Sequence, residues 1–130
     1  MSAFAILALC FAVYAVAAVL ALVILWLLFV PVMYYADKRD AGTMTPLDWV
    51  IGYAVLAVGY PWDFICNVLV LPTLFGELPH EWTVTARLQR LVNGPPGWRQ
   101  RRALWFATVV INPFSGSKPH IRIPTASAVF

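Results

Sequence analysis

Within GYPWDFICNVLVLP, residues 59–72, a carboxylate and an amide, Asp63 and Asn67, stand one helical turn apart in an otherwise apolar stretch. An acid in that position has three roles open to it. It caps the amino terminus of a helix, packs against its polar neighbour, or holds a proton or cation where an isolated charge is expensive. Because Asp63 follows Pro61 and Trp62 and leads into the helix-compatible run FICNVLVL, a cap at the membrane edge is the first expectation. A polar contact with Asn67 and an intramembrane ion site are the alternatives.

Other reactive side chains are sparse. His80 and Glu81 adjoin, but a two-histidine zinc helix needs a second His one turn away, and His120 stands 40 residues on. Cys10 and Cys66 both lie in apolar segments, which predicts two buried thiols and neither a disulfide nor a redox pair. No phosphate loop, dinucleotide fingerprint or nucleophile elbow occurs. The sequence therefore predicts a protein that is not an enzyme, with no catalytic, cofactor-binding or metal-ligating residue. Glu77, His80 and Glu81 read as the solvated start of a helix.

The densest set of interacting side chains lies in the tail. Residues 77–130 carry seven basic residues against two acidic ones, Glu77 and Glu81. Arg87, Arg90, Trp98, Arg99, Arg101, Arg102 and Trp105, with Trp82, make a Trp/Arg surface suited to anionic headgroups or to a protein partner. Arg with aromatic rings also stacks on nucleic-acid bases, but this tail is as apolar as it is basic, which favours membrane or protein over nucleic acid.

Two amphipathic helices would position that surface. In EWTVTARLQRLV, residues 81–92, Val84, Leu88, Leu91 and Val92 recur at helical spacing, with Thr83, Arg87 and Arg90 on the opposite arc. NGPPG, residues 93–97, ends that helix, and GWRQRRALWFATVVI, residues 97–111, forms the next. Its apolar second half is too short to cross a bilayer, so it must be buried against the protein or set among headgroups. Arginines in its first turn oppose the helix macrodipole, and anions such as lipid phosphates would offset that. The end, residues 112–130, reads as irregular, with HIRI as a short edge strand.

What holds the tail is an anchor. The chain is 62% hydrophobic and 12% charged with a net charge of +3, the composition of an integral membrane protein. No charge occurs between Ala3 and Ala36, a helix of roughly 51 Å against a hydrocarbon core of about 30 Å. With no Lys or Arg before the run, it is expected to remain as a span and not to act as a cleaved signal peptide. Tyr14 and Tyr34 mark its two interfaces. Ala5, Ala8, Ala12 and Ala15 share one face and form a helix-packing stripe, and Pro31 would kink the far end. Residues 49–75 make a second apolar segment, broken by Gly59, Pro61, Asp63 and Pro72. It is a kinked span, a re-entrant pair or a dip followed by an in-plane helix, the kinked span leading. The expected fold is thus an all-α membrane protein: a transmembrane hairpin, 1–76, and a basic module, 77–130. The Arg-rich tail favours a cytoplasmic end, although Lys38 and Arg39 balance Arg87 and Arg90 in the count.

Residues 78–121 carry the pattern R-L-x-R, G-W-R, P-F and H at Arg87, Leu88, Arg90, Gly97, Trp98, Arg99, Pro113, Phe114 and His120. In these residues the chain resembles small uncharacterised membrane proteins of tailed-phage and prophage genomes. The resemblance covers about a third of the chain and implies a phage or prophage origin and a bacterial inner-membrane location; it brings no activity with it. The expected function is a non-enzymatic anchor that presents a membrane-surface module to a protein partner. A holin-like permeabilising protein that oligomerises through the alanine stripe is the alternative.

Overall fold

The computed structural model describes residues 2–125, whose regular elements are all helices, with no strand among them. Helix α1, Ala3–Asp40, opens on Ser2, whose hydroxyl accepts the Ala5 N–H at 3.2 Å. At roughly 57 Å it is longer than a bilayer core, and none of its residues is buried. It continues through Pro31 and ends at Ala41 and Gly42, where a positive φ of 68° turns the chain.

Helix α2, Pro46–Leu69, starts on a full capping box: Thr45 accepts the Asp48 N–H, and Asp48 accepts the Thr45 N–H. The two helices run antiparallel and are pinned along their length. The Lys38 ammonium pairs with Asp48 at 2.5 Å near the turn. Further along, Tyr35 lies beside Gly52 and Leu28 beside buried Gly59, where the absent side chain lets the backbones approach. Trp62 Nε1 donates to the Ala21 carbonyl at 3.0 Å, and the Tyr14 hydroxyl donates to the Leu69 carbonyl at 2.8 Å. Both helices are long and apolar enough to cross a membrane.

Of the three courses open to the second apolar segment, the helix follows the continuous one through Gly59 and Pro61, since α2 runs from Pro46 to Leu69 as one helix. A proline removes only one ladder bond, and the Trp62 anchor one residue later holds the helix against α1 across the gap. A short helix α3, Leu71–Phe75, follows and stops at Gly76 in the left-handed region, φ 60°.

Helix α4 spans Val84–Val92 and α5 spans Trp98–Trp105, continuing as a π-helical turn, Phe106–Ile111, and a 3₁₀ turn, Asn112–Phe114. The core forms where α2, α3, α4 and α5 meet, around Cys66, Leu71, Phe75, Leu88, Val92 and Ala103, with Ala18, Ala21, Leu22 and Leu25 of α1 packed against it. It draws on residues from both sides of position 76, so hairpin and tail share one core.

The HIRI segment forms no strand. Two amide side chains take the place of a partner strand: Asn112 exchanges both hydrogen bonds with the backbone of Ile121, at 2.9 and 3.0 Å, and Gln89 does the same for Arg122, at 2.8 Å each. Paired residue by residue to side chains, the segment has no need of a ladder. The loop before it docks on the end of α1, where Asp37 accepts from Ser117 N and Oγ at 3.0 and 2.8 Å. Gly116, φ 80°, makes this approach feasible, because a Cβ there would lie 2.1 Å from the Asp37 carboxylate.

Candidate functional site

Asp63 sits inside α2, nearly five turns past its start, so it does not cap the run that follows it. It caps a different helix. Both carboxylate oxygens accept the backbone N–H of Val84, at 3.3 and 3.2 Å, and Val84 is the first residue of α4. The donor is one of the orphan groups every helix start leaves unpaired, supplied here by tertiary packing. Thr83 meets a second one, accepting the Ala86 N–H at 3.2 Å. One turn on, Asn67 is fully buried and donates to the Glu81 carbonyl. Asp63 and Asn67 therefore do not bond each other; side by side they hold the strand of chain that leads into α4.

Glu77 and Glu81 are not part of a helix start, since α4 begins only at Val84. Both pair with Arg90. Burial pushes the Glu81 acid up, but the Arg90 hydrogen bond and the charges of Arg90 and Arg87 outweigh it, and the group titrates below its ordinary range. Arg87 departs most from expectation. Its spacing predicts a surface contact on the outer arc of α4, yet its side chain is 0% exposed. Its Nε lies 3.9 Å from Glu81, beyond hydrogen-bond range, and none of its three nitrogens has a hydrogen-bond partner. Burial lowers its pKa, with Glu77 and Glu81 acting in the opposite direction. Glu77 and Glu81, from the connector before α4, lie close enough to act on its charge, a proximity the helical pattern does not reveal.

The arginines at the start of α5 find an internal answer to the macrodipole. Arg99 donates to the Phe75 and Gly76 carbonyls at 2.7 and 3.0 Å, and Arg102 donates to the Leu74 carbonyl at 2.7 Å. These are the orphan carbonyls at the end of α3, so two guanidiniums cap one helix from the start of another. Both also stack on the Trp98 ring, at 5.0 and 4.8 Å from its centroid. Of the tail side chains expected at a membrane or partner surface, Arg90, Trp98, Arg99, Arg101, Arg102 and Trp105 are exposed and Arg87 is buried; Trp82 is also exposed and stacks on Phe64. Arg90 is at the same time engaged by the two acids.

No family model, curated protein or solved structure matches this chain.

The alanine stripe lies outside the buried core. Ala8 and Ala12 are exposed and Ala5 and Ala15 half-buried, whereas the α1 residues that meet the core are Ala18, Ala21, Leu22 and Leu25. Cys66 is buried as expected and Cys10 is exposed on α1. Among the described residues no three His, Cys, Asp or Glu side chains gather in a way that would hold a metal.

Sequence reasoning missed two features. Gln89 and Asn112 gave no signal beyond their amide type, because their partners are backbone groups far along the chain. A cavity of about 180 Å³ between α1, α2 and the start of α4, with Asp63 in its lining, left a trace only in the unpaired acid itself.

Proposed function

We propose that this chain is a non-enzymatic integral membrane protein whose helical hairpin anchors a Trp/Arg-bearing module, and that the module binds a protein partner at the membrane surface. The carrying observation is the exposure of α1. Phe4, Leu7, Phe11 and Val16 are each more than half exposed, and the rest of the chain covers none of them. A side chain such as Phe or Leu left in water forgoes about 1.5–3 kcal/mol, so a surface of this extent calls for lipid or protein around it. Exposed Trp82, Trp98, Trp105 and Arg101 supply the docking surface, with anionic headgroups as the lipid contact. The resemblance of residues 78–121 supports a phage or prophage origin, and with it a bacterial inner membrane; the basic tail supports a cytoplasmic end.

The protein is expected to stay in the membrane fraction through high-salt and alkaline washes, assayed by blotting the pellet and supernatant. Recovery in the supernatant would overturn the anchor reading.

A second reading, the holin-like oligomer, is favoured by one observation: Ala8 and Ala12 remain open along a helix that extends beyond its partner at Tyr14. In this reading Ala8→Leu with Ala12→Leu reduces self-association, measured by crosslinking in membranes, while folding is untouched. Ala18→Leu acts on the core instead, lowering stability without that selectivity. Unchanged crosslinking of the Ala8/Ala12 variant sinks the oligomer and leaves the anchor standing.

A further inference from the structure

Asp63 keeps acceptor capacity that the protein does not use. Its one donor is the Val84 N–H, shared between both oxygens, whereas a carboxylate offers about four lone-pair sites. The acids in the ion pairs among the described residues are Asp40, Asp48, Glu77 and Glu81, and Asp63 is not one of them. The carboxylate lines two cavities, one of about 180 Å³ and one of about 70 Å³, which share Leu25, Phe29 and Thr85 as walls. In the larger, Leu28, Val32 and Leu56 give apolar surface and Phe29 and Tyr60 give aromatic surface. His120 also lines it, set edge-on to Phe29 with centroids 5.3 Å apart, and burial lowers its pKa, so at neutral pH it brings no charge to offset the acid.

The lining decides the class of ligand. A divalent cation needs about six oxygens and would find one carboxylate and a few hydroxyls. An organic ammonium needs one acid, aromatic faces and apolar room. An apolar cavity of about 150 Å³ accepts benzene, so this one fits a single ring or a short chain. We propose that the cleft between α1 and α2 binds a small aryl- or alkylammonium cation, its ammonium on Asp63 and its apolar part among Leu28, Phe29, Val32 and Leu56. The proposal rests on the unpaired acid and its cavity and does not depend on the module having a protein partner.

The test uses the full chain in detergent micelles, titrated by calorimetry with phenethylammonium and, separately, with its uncharged counterpart 2-phenylethanol. The cation is expected to bind saturably, one per chain, and the alcohol about tenfold or more weaker. Asp63→Asn keeps an acceptor for Val84 and is expected to erase the preference for the cation. Val32→Phe fills the cavity without touching charge and is expected to abolish binding of both, while Asp40→Asn, an exposed acid outside the cleft, changes neither. The proposal is overturned by the absence of saturable binding, by equal affinity for cation and alcohol, or by unchanged binding in Asp63→Asn. Should Asp63→Asn fail to fold, undiminished binding in Val32→Phe overturns it equally.

Discussion

Glu81→Gln is expected to destabilise the tertiary fold by about 3 kcal/mol, and Arg87→Met in the same chain to restore most of that loss. Arg87 is fully buried, and Glu81 is the acid within 4 Å of its guanidinium, so removing that acid leaves a buried charge with only the influence of Glu77 to offset it. Removing the arginine is a different matter. Glu81 keeps Arg90 as a partner, and Met fills a similar volume without three nitrogens that lack acceptors, so Arg87→Met alone is expected to be neutral within about 1 kcal/mol or stabilising. Denaturant titrations of the two single variants and the double variant, followed by tryptophan fluorescence, give the coupling directly. Equal destabilisation by both single changes would mean that the pair stabilises the fold, contrary to this account. The pH dependence carries a sign. Glu81 titrates lower in the folded chain than its ordinary 4.5, so its contribution is complete above that value and is lost as pH falls through the folded value. Glu81→Gln should flatten the acid side of the stability curve.

The helices were legible because their signals are local. A charge-free run from Ala3 to Ala36 and the spacing of Val84, Leu88, Leu91 and Val92 each specify their element from neighbouring residues alone. The apolar face of α4 accordingly lies in the core. What was not legible is which polar groups meet across the fold. Arg87 reads as outward by periodicity and is buried beside acids from another segment. Arg99 and Arg102 read as unfavourable at a helix start until the end of α3, some two dozen residues earlier, is brought beside them. The sequence left α2 open between a continuous span and a broken one for a related reason, since proline and aspartate are breaking signals locally while the contacts of Trp62 with α1 and of Asp63 with α4 lie far along the chain. The site at Asp63 was recognised by residue type, an acid in apolar sequence, but its partner could not be, because a backbone N–H carries no sequence signature.

That partner sets the second large effect. Asp63→Ala leaves the Val84 N–H without an acceptor at a residue only 6% exposed, and the expected loss is about 1–3 kcal/mol. Asp63→Asn retains an oxygen in the same place and is expected to fall within about 1 kcal/mol of the parent, since Asn and Asp serve nearly equally as caps. Where the loss appears matters as much as its size. A cap acting on its own helix would protect amides of residues 64–67, whereas a cap acting across space protects the first turn of α4. Hydrogen exchange on Asp63→Ala should therefore speed up at Val84 and Thr85 and leave residues 64–67 of α2 as slow as before. Faster exchange within 64–67 alone would return Asp63 to the local role its sequence context first implies. With the Asn variant folded and the Ala variant loosened only at α4, the charge of Asp63 is shown to be dispensable for the cap, and whatever the charge does must be directed at the cleft it lines.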